Sequence, residues 1–244
     1  MTSPLHKGRI AVVIPALNEQ DAIGRVVADL PRDLINDIIV VDNGSTDDTA
    51  RRAEEAGARV IGEPRRGYGQ ACLTGLAALD DQTTVVVFVD GDYSDDPTEA
   101  SSVLAPILAN EADLVIGSRV LGRREAGSLT PQQRFGNALA TLLIRWLYAE
   151  HYTDLGPFRA IRRDALERIG MIDRDFGWTV EMQVKAAREG LRSTEVPVSY
   201  RKRFAGESKV AGTLMGSIRA GRKILSTIFR HAGPTSSDHT AKPT

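Results

Sequence analysis

The sequence predicts an α/β protein built on a mostly parallel sheet with helices on both faces. Two observations carry this. Apolar runs of four or five residues, rich in Val and Ile, recur at 10–14, 38–41 and 85–89, with a shorter one following Asp113 at 114–116, and short runs without polar alternation read as strands closed on both sides. Segments of helical character separate them, and strands alternating with helices specify parallel pairing through crossover connections.

Taken in order, the first strand leaves through Pro15-Ala-Leu-Asn-Glu19 into a helix reaching about residue 30. The second ends at Asp42-Asn43-Gly44-Ser45-Thr46-Asp47, where Ser45 or Thr46 caps a helix through Glu55 and Asp47 and Asp48 favour its positive end. A short strand at 59–61 follows, and Gly67-Tyr68-Gly69-Gln70 opens the next helix. The run at 85–89 stops at Asp90-Gly91-Asp92, with Asp95 and Asp96 ahead of Pro97, which starts another helix. After the strand at 113–116 come a helix at 179–188 and a basic amphipathic one carrying Leu214, Met215, Ile218, Ile224, Leu225, Ile228 and Phe229 among Arg219, Arg222, Lys223 and Arg230. Such a helix suits either an anionic membrane surface or the flank of its own domain. Residues 231–244 have the Pro/Ser/Thr composition of a disordered tail.

Composition excludes several classes. A chain of 244 residues with 42% hydrophobic content can bury a full core. Its net charge of −1 makes no case for nucleic-acid binding. The balance hides a polarity: 15 acidic and 6 basic side chains at 31–100, against 2 and 9 at 192–230. One half suits a cation and the other an anion. The lone Cys72 forms no internal disulfide, and the four histidines show no zinc-ligand spacing. No stretch reaches the roughly 18–20 apolar residues that span a bilayer, and no signal peptide precedes the first strand. The expected location is cytoplasmic, at most peripheral to the membrane. The first strand lacks Gly-x-Gly-x-x-Gly after it and no P-loop occurs, which disfavours dinucleotide enzymes and P-loop NTPases.

Asp90 and Asp92 at the mouth of an apolar strand are costly unless a cation neutralises them. Mg²⁺ does this with one or two carboxylates, water and substrate phosphates. Gly91 is expected to bend the backbone and leave the phosphate room. A turn and helix cap would use the same residues.

Further motifs carry a resemblance. Val13-Ile-Pro-Ala-Leu-Asn-Glu19, Val40-Val-Asp-Asn-Gly-Ser-Thr-Asp47, Asp90-Gly-Asp92 and Gly117-Ser-Arg119 look like family 2 glycosyltransferases of the GT-A fold. Asp154-Leu-Gly-Pro-Phe-Arg159, Gly177-Trp-Thr-Val-Glu181, Val196-Pro-Val198 and Arg203-x-x-Gly206-Glu-Ser-Lys209 resemble the polyprenyl-phosphate (dolichyl-phosphate) mannosyl- and glucosyltransferase branch. The resemblance implies one GT-A domain at 8–230, with a nucleotide-binding half at 8–118 and an acceptor-side half at 119–230. It implies a nucleotide-sugar donor, a polyprenyl-phosphate acceptor and Mg²⁺ or Mn²⁺. Pro15, Leu17, Glu19 and Asp42 would form the base and ribose pocket. Asp90 would serve the ribose or metal, and Asp92 would bind the metal directly. Arg119 and Arg134 would reach phosphate or sugar oxygens, while Arg203 and Lys209 would clamp phosphate. Asp154 would be an acceptor-side residue or base, and Glu181 a second candidate base. Ser94 stands where many relatives carry Gln, and Asn43 where the commoner pattern has Asp.

Three functions fit these residues: transfer of a hexose to a polyprenyl phosphate, transfer to a soluble hydroxyl acceptor, or non-catalytic binding of a nucleotide sugar.

Overall fold

The computed structural model describes residues 8–205 and the helix at 214–230, with side chains in that helix from 221 onward. The strands are β1 (Arg9–Ala16), β2 (Asp37–Asp42), β3 (Arg59–Gly62), β4 (Thr83–Phe88), β5 (Leu114–Ser118), β6 (Arg159–Arg162) and β7 (Ser193–Pro197). The helices are α1 (Ile23–Asp29), α2 (Thr49–Glu55), α3 (Tyr68–Ala77), α4 (Ala100–Leu108), α5 (Pro131–Tyr148), α6 (Arg163–Ile169), α7 (Trp178–Arg188) and α8 (Leu214–Arg230). They form one seven-stranded sheet of order β3-β2-β1-β4-β6-β5-β7. It is parallel except for β6, which runs against both β4 and β5.

The apolar runs at 10–14, 38–41 and 85–89 become the sheet's centre because both faces there are covered. Val13, Val41, Val86 and Phe88 point into one core with Ile144, Trp178 and Ile228. Their neighbours Val12, Ile14, Val40 and Val87 point into the other with Ile23, Val26, Leu104 and Ile107. Each such side chain contributes about 1.5–3 kcal/mol on burial. Phe88 meets Trp178 edge-on at a centroid distance of 5.8 Å.

Several element details differ from expectation. Neither Ser45 nor Thr46 caps α2. The Ser45 hydroxyl instead accepts the Asn18 amide at 2.9 Å, and Asp47 accepts the Thr49 amide at 3.0 Å. Pro97 starts a single 3-10 turn before α4, with Asp96 as its cap. α8 packs on α5 and α7: Ile228 is fully buried, and the Tyr148 hydroxyl donates to its carbonyl at 2.6 Å. Lys223 of α8 pairs with Asp173 at 2.8 Å. Over its described second half α8 therefore turns Ile228 to the domain and leaves Phe229 54% exposed. The expected tail at 231–244, like Lys209, lies outside the described residues.

The parallel register has one consequence for function. β1, β2 and β4 all end on the same edge of the sheet, so the turns after Ala16, Asp42 and Phe88 share one crevice. Chain order reverses between β1 and β4, and such a switch point is where open α/β sheets bind ligands.

Candidate active site

The turn after β4 builds the acidic side of this crevice. Asp90 accepts the Tyr68 hydroxyl at 2.9 Å, and burial, with the neighbouring Asp92 second, pushes its carboxyl up to about 7. Asp92 is buried; one oxygen accepts the Ser94 amide at 2.9 Å and the other meets Arg203 at 3.1 Å. A Cβ on Gly91 would meet Ile23 Cδ1 at 3.3 Å and Ala16 Cβ at 3.5 Å, so the turn packs closely on α1 and β1. The left-handed residue of the turn is Tyr93, at φ 61°.

The segment after β7 crosses over this turn. The amides of Arg201 and Phe204 donate to the Ser94 and Asp92 carbonyls at 2.8 and 3.2 Å. Arg201 pairs with Asp96 and lies 5.3 Å from the Tyr93 ring, while Phe204 sits against Arg25 at 4.3 Å. Arg203 points inward and bridges Asp92 to Glu19, whose two oxygens it meets at 2.7 Å. Glu19, expected in the base and ribose pocket, is thus linked through Arg203 to Asp92.

The remaining nucleotide-side residues fall around the same edge. Pro15 pairs in register with Val41 and is half-buried, as are Leu17 and Asp42. Asp42 accepts the Ser45 amide at 2.9 Å, which shapes its turn. Asn43, which departs from the commoner motif, organises the crevice floor. It donates to the Glu63 and Arg65 carbonyls at 3.0 and 2.6 Å and accepts the Gly67 amide at 2.9 Å. Glu63, which sequence reasoning missed, is held by Thr74, Gln70 and the Arg65 amide, and these bonds pull its carboxyl down to about 2.

The cationic side rests on Arg119 and Asp154. Their guanidinium–carboxylate pair is two-pronged, at 2.7 Å on each prong, and the Arg119 amide adds a third bond at 2.8 Å. Asp154 has no exposed surface and also accepts the Leu155 amide at 2.8 Å. Its carboxylate is thereby held as the anchor of Arg119. Glu181 is likewise buried, on the amides of Ile172 and Asp173 and on Lys185 at 2.7 Å. The buried Arg159 binds the Thr179 carbonyl at 2.9 Å and the Leu155 carbonyl at 3.3 Å, so it shapes the 154–157 turn; burial pulls it down to about 10. Arg134, in the first turn of α5, is exposed and does not reach this pair. It lines a cavity of about 440 Å³ with Arg124, Arg145, His151, Val120 and Leu142. Val120 and Thr153, the sequence neighbours of Arg119 and Asp154, form its near wall.

Residues 11–170 match the model of glycosyl transferase family 2. The chain belongs to that family. An uncharacterized glycosyltransferase of Mycobacterium tuberculosis is 40% identical over 212 residues, covering 86% of this chain and 94% of its own. A dolichyl-phosphate hexose transferase of Haloferax volcanii is 33% identical, over 88% of this chain and 92% of its own. Among solved structures, the glucosyl-3-phosphoglycerate synthase of Mycobacterium tuberculosis in complex with Mn²⁺, UDP and phosphoglyceric acid superposes with a TM-score of 0.75. It is 26% identical, over 95% of this chain and 81% of the synthase. The fold of this glycosyltransferase is the GT-A fold.

Two features of the transferase had no sequence signal. Asp95 is buried with neither carboxylate oxygen partnered among the described residues, and burial pushes its carboxyl well above the usual range. It read only as part of an acidic run. Tyr200, whose ring lies 5.0 Å from Arg119, came with no motif at all.

Proposed function

We propose that this glycosyltransferase moves a hexose, mannose or glucose in kind, from a GDP- or UDP-sugar to a polyprenyl phosphate, in one displacement with inversion at the anomeric carbon. The observation that carries the acceptor is the state of the two candidate bases. A hydroxyl acceptor needs a base within reach of its proton. Asp154 is spent on Arg119 and Glu181 on backbone amides. A phosphate acceptor is already an anion and needs positioning and charge shielding instead. Arg124, Arg134 and Arg145, in the cavity beside the Arg119–Asp154 pair, supply both.

On the donor side, Asp90 and Asp92 suit a hard divalent cation. They are adjacent carboxyls, and Asp90 is held near neutrality by burial and by its neighbour. Among the described residues no group of three or more His, Cys, Asp or Glu could hold a metal, so water and diphosphate oxygens would complete the shell. Mg²⁺ or Mn²⁺, when bound, neutralises charge on the departing nucleoside diphosphate. Arg203 stands on Asp92 and Glu19 and can turn to the diphosphate as donor arrives. Lys209 would join that clamp. Pro15, Leu17 and Asp42 would hold base and ribose. The Mn²⁺ and UDP in the synthase structure support this donor reading, and the Haloferax volcanii relative supports the lipid acceptor.

A second reading has one observation in its favour: the synthase structure contains phosphoglyceric acid, a soluble anion that the same arginines could hold. Labelled UDP-glucose and GDP-mannose, offered with undecaprenyl phosphate or 3-phosphoglycerate, separate the two. Label in the organic phase that is released by mild acid supports the lipid acceptor. Label that remains in water as a phosphoglycerate glycoside overturns it.

A further inference from the structure

α5 is amphipathic in the wrong sense for a helix that meets only water. Its inner face buries Ala140, Thr141 and Ile144 against the domain and α8. Its outer face carries Phe135, Ala138, Leu142 and Trp146, spaced three or four residues apart along one stripe. Phe135 is 70% exposed, Leu142 60% and Trp146 77%. The helix contains no acidic residue. Arg134 and Arg145 stand beside the stripe, both exposed, and Arg124 faces them across the cavity. The loop after β5 adds Val120 and Leu121, each about half exposed. Exposed aromatic and aliphatic side chains in one patch mark an interaction surface. Nearby acids are few: Glu125 pairs with Lys202 at 3.6 Å, and Glu150 follows the helix.

The geometry points to this face of α5 as the surface by which the protein lies on an anionic lipid bilayer, with the arginine-lined cavity opening beside it. Charge selects the occupant. Arginines flanking a stripe of Phe, Leu and Trp match an anionic headgroup layer over acyl chains, and a Trp at the edge of such a stripe sits at the headgroup level. A second copy of the same face would set Arg134, Arg145 and Arg124 against their like. The patch is also continuous with the proposed acceptor cavity, since Val120 and Leu142 belong to both. α8, the helix whose sequence suggested membrane contact, buries Ile228 and leaves Phe229 about half exposed, so its described residues offer one exposed large apolar side chain where α5 offers three. The inference extends the lipid-acceptor reading, but its test uses neither donor nor acceptor, so its failure would leave the transferase reading standing.

The two tryptophans make the test direct. Trp178 is 1% exposed and packed on Phe88, so it is a silent background, whereas Trp146 reports on the outer face. Full-length protein is titrated with vesicles of phosphatidylcholine containing 30–40% phosphatidylglycerol (roughly the charge density at which basic surfaces bind). The expected result is a blue shift of emission, quenched by lipids brominated near the headgroup, lost in Trp146→Phe and weakened by added salt. Phe135→Ser/Trp146→Ser should sediment with these vesicles at least about tenfold more weakly. Its circular dichroism and its stabilisation by donor nucleotide should be unchanged. No blue shift with anionic vesicles at millimolar lipid would overturn the proposal. So would a blue shift that rises with protein concentration without lipid, which would show a second copy covering the face.

Discussion

Replacing Asp90 by Asn should make the protein more stable and at the same time inactive. Asp90 is pushed from 3.8 to about 7 by burial and by Asp92. The native state therefore holds a proton that the unfolded state has released. A raised carboxyl contributes stability that is fully present below 3.8 and lost as pH rises to about 7. At about 1.4 kcal/mol per pH unit over that window, the wild-type protein loses about 4 kcal/mol. Relaxation and the mutual influence of Asp90 and Asp92 reduce this, leaving roughly 2–4 kcal/mol. Asn keeps the oxygen that accepts from Tyr68 and never ionises. The difference between Asp90→Asn and wild type should be near zero at pH 4, grow with pH, and level off above about pH 7. For a chain of this size it corresponds to a Tm increase of roughly 4–8 °C at pH 8. Thermal melts in EDTA at pH 4, 6 and 8 measure it. A difference independent of pH, or a variant less stable than wild type at pH 8, would refute the reasoning.

The same proton should compete with metal. Mn²⁺ binding should weaken by up to about tenfold for each pH unit below about 7, checked by calorimetric titration between pH 5.5 and 8. Asp154→Ala should strand Arg119 in a buried setting and cost about 3–5 kcal/mol, read from urea denaturation. Asp154→Asn, which keeps the shape but not the charge, should lower kcat/KM by disordering Arg119 without shifting any pH optimum. A lost acidic limb in its pH profile, where a base would be protonated, would restore Asp154 as a base. Arg203→Ala should remove the cation bridging Asp92 and Glu19. Metal binding without donor should then tighten while kcat/KM falls by about 10²–10³, the scale of one lost charge-stabilising group. An unchanged kcat/KM would remove Arg203 from the diphosphate.

How much could be read from sequence follows from where the information sits. β1, β2 and β4 were legible because both faces are buried and the whole run is apolar. β6 was not: it is four residues long with Arg at each end, and it is a strand only because β4 and β5 flank it. β7 pairs on one side alone, and its Ser193, Thr194 and Glu195 carry no apolar run. In the site, Asp90 and Asp92 announced themselves as acids at a strand mouth. Their partners did not, because Arg203 lies 184 residues from Glu19 and Arg119 lies 35 from Asp154. Motif resemblance named these residues but not who holds whom. Pairing shows Asp154 as the anchor of Arg119, and packing shows Ile23 and Ala16 as the near neighbours of Gly91. The outer face of α5 was hidden for a related reason. Its 138–148 segment reads as apolar, and only the placement of α8 decides which side of it is covered.

The measurement that tests the central claim most directly is thermal stabilisation by GDP- and UDP-sugars, with and without Mn²⁺, in wild type and Asp92→Ala. Ligand that binds only the native state raises stability by about 2.7 kcal/mol at a hundredfold excess over Kd. The predicted result is a Mn²⁺-dependent rise in Tm with one nucleotide class, abolished in a folded Asp92→Ala protein. An equal rise without metal, or one that survives Asp92→Ala, would contradict the assignment of Asp90 and Asp92 to the cation.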